Sequence, residues 1–143
     1  MKKIVLTAIA ALSFATLASC YEKPVTFEQL PSAAQTSLTK NFPAEKMTLA
    51  TKDDDLIRPD YEVRLSDGTQ LEFDYSGALK KVSSKNGIPS SLVPAAIRSY
   101  VSKHYPDAGF LEYEVGRRTY EVKLTNRLEF TFNSSYHLVE VDD

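Results

Sequence analysis

Few residues of this chain could do chemistry. Cys20 is the only cysteine, which excludes an intrachain disulfide, a thiolate zinc cluster and an iron–sulfur site. In Leu17-Ala18-Ser19-Cys20 its thiol stands where a bacterial lipobox places the cysteine that is diacylglycerylated and becomes the first mature residue. The small residues at 18 and 19 let the peptidase approach the backbone. His104 and His137 are the only histidines, and neither has a second histidine or a carboxylate at metal-ligand spacing, so surface roles are expected. Asp53, Asp54 and Asp55 are consecutive and cannot all point at one ion; they lack the alternate-position oxygens and the glycine of a calcium loop and read as a solvated acidic loop. Glu72, Asp74, Glu121 and Glu129 could pair carboxylates as acid–base catalysis requires. Exposed carboxylates keep ordinary pKa values, however, and the interleaved Arg64 and Lys123 suggest cross-strand ion pairs instead. There is no Gly-x-Ser-x-Gly, phosphate loop or His-Glu-x-x-His. The expectation is no catalytic residue, no metal, no cofactor and no enzyme.

The leader fixes the setting in which these residues work. Lys2 and Lys3 precede a mostly apolar run over residues 4–17, the charged n-region and short h-region of a secretory signal, too short for a spanning helix. Residues 1–19 are therefore read as a lipoprotein signal peptide and 20–25, with Pro24, as a lipidated cysteine and a tether without assigned structure. Two or three acyl chains anchor stably, each buried CH₂ contributing ~0.8 kcal/mol. The whole chain of 143 residues carries a net charge of −2, with 43% hydrophobic and 25% charged residues, the composition of one globular unit. Removing 1–19 takes away two lysines and no acid, leaving 15 basic and 19 acidic side chains and a charge of −4. A nucleic-acid partner and a polybasic membrane patch are both excluded on this balance.

The remainder reads as two copies of one unit. Residues 60–67 (DYEVRLSD) lie over 119–126 (TYEVKLTN) at an offset of 59, which also matches Phe73 with Phe132, Asp74 with Asn133, Ser76 with Ser135, Leu79 with Leu138 and Val82 with Val141. Upstream, Leu30-Pro31 matches Val93-Pro94 and Phe42-Pro43 matches Tyr105-Pro106 at an offset of 63. The first copy therefore carries four extra residues, placed in a surface loop over 52–59.

Apolar residues at helical spacing (Leu30, Ala34, Leu38; then Ile97, Tyr100, Val101, Tyr105) predict one helix per copy of about three turns. Pro31 and Pro94 suit a first helical turn, and Pro43 and Pro106 stop the helices. Thr26 with Gln29 fits a capping box, so the first helix could start near Phe27. Strict alternation marks strands: Tyr61, Val63 and Leu65 against Glu62 and Arg64; Leu71, Phe73 and Tyr75 against Glu72 and Asp74; Tyr120, Val122 and Leu124 against Glu121 and Lys123; Leu128, Phe130 and Phe132 against Glu129 and Thr131. Asp67-Gly68 predicts a tight hairpin with positive φ at both central positions. Further short strands are expected at 46–51, 79–83, 110–115 and 138–141, and a turn between the copies at 83–91. The fold class is α+β: two tandem helix-plus-four-strand repeats, an antiparallel sheet with helices on one face and a charged open face.

Residues 97–106 (IRSYVSKHYP), 120–124 (YEVKL), the acidic ending 139–143 (VEVDD), and in the first copy 61–65, Asp67-Gly68 and 72–77 (EFDYSG) resemble the PepSY-like periplasmic proteins of Gram-negative bacteria. The resemblance covers residues 26–143, as repeat one (26–84) and repeat two (88–143). It implies a fold similar to the beta-lactamase inhibitor protein and a secreted or lipid-anchored life. Arg127 and Tyr136 stand where Gly68 and Gly77 stand in the first copy, and a different turn geometry is expected there. The functional expectation is a lipid-anchored binding module of the cell envelope, an outer-membrane lipoprotein facing the periplasm or the cell surface. It would act as a monomer that meets a protein or peptide, in an inhibitory role in one version, through Glu62, Arg64, Glu72, Asp74, Glu121, Lys123 and Glu129. The alternative is a small-molecule carrier or sensor with a pocket between helices and sheet, lined by Tyr61, Tyr100, Tyr120 and Phe130.

Overall fold

A computed structural model describes residues 22–54 and 57–143; the signal peptide expected over 1–19 and the lipidation expected at Cys20 lie outside the described residues. The elements run β1 (Glu22–Pro24), α1 (Ser32–Asn41), β2 (Met47–Asp53), β3 (Tyr61–Leu65), β4 (Gln70–Phe73), β5 (Leu79–Ser83), α2 (Ala95–His104), β6 (Phe110–Val115), β7 (Thr119–Leu124), β8 (Glu129–Asn133) and β9 (Leu138–Asp142). The strands form one nine-stranded sheet in chain order. Each pairs antiparallel with the next, including β5 with β6 across the junction between the copies.

Alternation decides which face is dry. Ala50, Val63, Leu65, Leu71, Phe73 and Val82 from the first copy and Tyr113, Val122, Leu124, Phe130 and Phe132 from the second are buried, and they form one core with Ala34 and Leu38 of α1 and Ile97 and Val101 of α2. Two bulges recur at equivalent places. The register shifts between Met47 and Leu49 and again between Phe110 and Glu112, then between Glu72 and Phe73 and again between Thr131 and Phe132. Such bulges add local twist to a strand pair.

Four readings from the sequence need correction. The tether is not wholly without structure: β1 pairs with β2, Glu22 opposite Asp53 and Pro24 opposite Thr51, and Lys23 forms an ion pair with Asp54. An unpaired β2 edge would expose a row of backbone donors and acceptors, and β1 satisfies it. The first helix does not start near Phe27. Phe27–Gln29 is a separate 3-10 turn in which the Thr26 amide donates to Gln29 Oε1 at 2.8 Å, and Leu30 is extended (φ −70°, ψ 152°) because the ring of Pro31 disfavours helical geometry in the residue before it. Pro31 and Pro94 accordingly sit just before Ser32 and Ala95 as extended flanking residues. The Asp67-Gly68 turn has positive φ only at Gly68 (+88°). It closes through Gly68 N–H to Leu65 O at 3.0 Å and Leu65 N–H to Thr69 O at 2.9 Å, the longer hairpin loop that ends in a left-handed residue.

The fourth correction concerns the second copy, whose turns share that geometry. Arg127 (φ 74°) and Tyr136 (φ 62°) occupy the left-handed region like Gly68 and Gly77. The bonds repeat: Arg127 N–H to Leu124 O at 3.0 Å, Leu124 N–H to Leu128 O at 2.9 Å. Asx side chains hold both versions in place, Asp67 Oδ1 accepting from Thr69 N–H and Asn126 Oδ1 from Leu128 N–H. The local backbone cost of Arg127 is thus borne by a turn its neighbours over-determine.

Candidate functional site

The open face is read most simply as rows of side chains crossing the strands. Pairing partners place Thr51, Glu62, Glu72, Lys81, Glu114, Glu121, Thr131 and Glu140 in one row from β2 to β9. A parallel row runs Leu49, Arg64, Gln70, Ser83, Glu112, Lys123, Glu129, Asp142. Six of the seven residues expected to meet a partner, Glu62, Arg64, Glu72, Glu121, Lys123 and Glu129, stand in these rows.

Asp74 does not. Its Oδ1 accepts from Ser76 N–H at 2.8 Å, Ser76 O–H at 2.6 Å and Ala78 N–H at 3.0 Å, so the carboxylate is spent on the β4–β5 turn. Burial pushes its pKa up, but these hydrogen bonds outweigh burial and leave it below the ordinary value. Asn133 does the same work in the second copy, accepting from Ser135 and His137 amides at 2.9 and 3.0 Å. His104 is exposed with its ring 4.4 Å from Tyr100, and His137 is exposed in the β8–β9 turn.

Charge is balanced on the first half of the face and unbalanced on the second. Lys80 reaches Asp60 at 2.6 Å and Glu72 at 3.3 Å, and Arg64 reaches Glu62 at 3.4 Å. Lys81 joins the halves, 2.7 Å from Glu112 and 3.0 Å from Glu114, and these bonds hold its pKa above the usual lysine range. Lys123 meets Glu129 at 2.6 Å. Beyond these pairs, a shallow groove of about 210 Å³ over β6 to β9 is lined by Glu112, Glu114, Glu121, Glu129, Glu140 and Asp142, with Lys123 as its one cation. Among the described residues, Glu121, Glu140 and Asp142 take part in no ion pair. Glu114 lies directly opposite Glu121, as Glu62 lies opposite Glu72 in the first half; sheets normally avoid such like-charge pairs, and Lys81 and Lys80 offset them here.

Four residues of the acidic groove, Glu112, Glu114, Glu140 and Asp142, lie on strands whose side chains the sequence did not single out for binding. Glu112 and Glu114 flank Tyr113 and could have been found by alternation, but the bulge at Leu111 breaks the period. The rings assigned to a ligand pocket instead fill space. Phe130 is 1% exposed, Tyr100 meets Phe130 and Phe132 edge-on at 6.1 and 5.5 Å, and Tyr120 stacks on Tyr113 at 6.4 Å and Tyr136 at 4.9 Å. Burial pushes the Tyr113 phenol up to about 12.

A family model described as "Putative beta-lactamase-inhibitor-like, PepSY-like" matches the chain twice, over residues 16–81 and 59–140. The chain belongs to the PepSY-like family. The double match accords with a repeat inside this PepSY-like chain. Three solved structures share the fold. One, described as a "putative periplasmic protein" of the DUF2874 family from Bacteroides vulgatus ATCC 8482, is 36% identical over 85% of this chain and 97% of that one, with TM-score 0.81. A second, a "putative calcium-regulated periplasmic protein" from Bacteroides thetaiotaomicron, is 36% identical over 87% and 99%, TM-score 0.82. A third, from Bacteroides vulgatus ATCC 8482 and described as of unknown function, is 30% identical over 85% and 99%, TM-score 0.77. The comparison with curated proteins gave no match. No helix among the described residues is long and apolar enough to cross a membrane.

Proposed function

We propose that this PepSY-like chain is a non-enzymatic binding module of the Gram-negative cell envelope, lipid-anchored at Cys20 and built from two helix-plus-four-strand units. Its open sheet face holds a basic segment of an envelope protein or peptide, and occupying that segment would be the basis of an inhibitory role. The observation that carries this reading is the groove of six carboxylates over β6 to β9, three of them without an ion pair among the described residues. A field of one sign on an exposed face raises the encounter rate of a partner of the other sign and fixes its orientation. The periplasmic descriptions of the solved neighbours and the lipobox string support the location.

The Bacteroides thetaiotaomicron neighbour is described as calcium-regulated, which makes calcium the natural competitor. Calcium needs about 6–8 convergent oxygens. Among the described residues no three acidic or histidine side chains are grouped as a metal requires, so calcium is expected to screen this face without being chelated by it.

The test is capture of partners from envelope extracts by the wild-type chain and by a Glu121→Lys, Glu129→Lys, Glu140→Lys variant. The expected result is a basic partner held by wild type at low salt and lost on charge reversal. Equal retention by the variant would end the proposal. Cys20→Ala, followed by membrane fractionation, tests the anchor: the variant should leave the membrane fraction.

A further inference from the structure

The repeat supplies a template for how a partner would dock. β5 and β9 are equivalent strands at an offset of 59, Leu79–Ser83 against Leu138–Asp142, each with a bulge at the same place, where the pairing skips Lys80 and Val139. The outer edge of β5 is occupied: β6 pairs there, with Lys81 opposite Glu114, Val82 opposite Tyr113 and Ser83 opposite Glu112. The outer edge of β9 has no neighbour among the described residues, and Val139 and Val141 are 58% and 47% exposed. An open edge of five residues presents backbone donors and acceptors that a strand can pair with.

Charge at this edge is reversed relative to the template. Lys81, which binds Glu112 and Glu114 at 2.7 and 3.0 Å, becomes Glu140; Ser83 becomes Asp142; Val82 stays valine as Val141. A strand taking the place of β6 must therefore carry cations where β6 carries Glu112 and Glu114, around an apolar or aromatic residue in the place of Tyr113. The same carboxylates oppose a second copy, because two β9 edges would bring Glu140 and Asp142 against their like.

We propose that the outer edge of β9 receives an extended segment alternating lysine or arginine with apolar residues, as a tenth strand in the place that β6 holds against β5. The inference rests on the reading of the acidic face given above and names its partner's chemistry and mode of binding.

The test uses the full chain and a short fluorescein-labelled peptide alternating lysine with valine and tyrosine. Anisotropy gives affinity as a function of salt, and amide hydrogen exchange gives protection along β9. The expected result is salt-sensitive binding with slowed exchange in β9, weakened at least about tenfold by N-methylation of alternate peptide amides, as loss of strand hydrogen bonds requires. The Glu140→Lys, Asp142→Lys variant should lose the peptide and gain its glutamate counterpart. Equal binding by the N-methylated peptide, with β9 exchange unchanged, would overturn strand addition while leaving the acidic-face reading intact. Absence of binding even at low salt would overturn both. Protection of β9 that grows with protein concentration and needs no peptide would overturn the proposal in favour of pairing between copies.

Discussion

Replacing Gly77 with alanine measures how tightly α1 is pressed onto the β4–β5 turn. Two costs are written into the geometry. Gly77 holds φ at +86°, where an L side chain costs about 1–2 kcal/mol. An added Cβ would also meet Ala34 N at 2.8 Å, Pro31 Cβ at 2.9 Å and Ala33 Cβ at 3.0 Å. These are backbone and short stiff groups at the start of a helix, so the helix must move, an overpacking cost of about 1–3 kcal/mol. Gly68 is the internal control: its φ is +88°, but nothing lies within 4 Å of the added Cβ, so Gly68→Ala carries only the first cost. Urea unfolding followed by circular dichroism should therefore place Gly77→Ala about 2–5 kcal/mol and Gly68→Ala about 1–2 kcal/mol below wild type, with unchanged m-values. Equal losses for the two variants would refute the argument that helix contact, rather than backbone conformation, makes Gly77 necessary.

Thr69 is fully buried and its Oγ1 has no hydrogen-bond partner among the described residues; Thr69→Val removes the orphan hydroxyl at equal shape and should stabilise by about 1 kcal/mol, read as a higher melting temperature. Lys81→Met takes the shared cation from Glu112 and Glu114 and leaves Glu114 facing Glu121. With side chains roughly a third or more exposed, the loss should be only about 1 kcal/mol and should shrink in 1 M salt; a salt-independent loss would assign it to packing. Asp74→Ala should cost about 1.5–3 kcal/mol at neutral pH, as hydrogen bonds to a charged acceptor do, and Asp74→Asn less, since Asn133 already serves the second copy in that role. Because the folded-state pKa of Asp74 is depressed below 3.8, its contribution is complete above that value and is lost as pH falls through the folded pKa. The gap between wild type and Asp74→Ala in acid unfolding should therefore close there; a gap persisting to lower pH would show that the charge is not what matters.

Signals of short range are legible in the amino-acid sequence. β3, β4, β7 and β8 follow strict alternation because one face packs on helices and the other meets water. Both helices end where Pro43 and Pro106 require. The features that the sequence does not announce depend on contacts distant along the chain or on departures from period. β1 exists because β2 has an edge to cover, and nothing in its own residues, Pro24 among them, marks a strand. The like geometry of the Arg127 and Gly68 turns is imposed by flanking strands and by Asn126, not by the residue at the positive φ. Glu112 and Glu114 fall outside a simple alternating pattern because a bulge at Leu111 shifts their phase.

Comparison of the two copies then separates what the fold requires from what it leaves free. Core-facing positions change little between them: Val63 and Val122, Leu65 and Leu124, and Phe73 and Phe132 are identical, and Leu71 becomes Phe130. Packing density holds these positions, since a methylene gained or lost is felt throughout the core. Open-face positions change in charge: Gln70 becomes Glu129, Lys81 becomes Glu140 and Ser83 becomes Asp142, all toward negative, while Glu72 and Asp60 move the other way, to Thr131 and Thr119. No folding constraint favours this drift, because like charges gathered on one face cost stability. The acidity is concentrated on the last strands and at the β9 edge, which has no neighbour among the described residues and where the proposed tenth strand would reach both the side-chain field and the backbone. The first copy pairs its face cations within itself and with its neighbour, and the second leaves Glu121, Glu140 and Asp142 without an ion pair among the described residues, the division between structure and recognition that the proposed binding role requires.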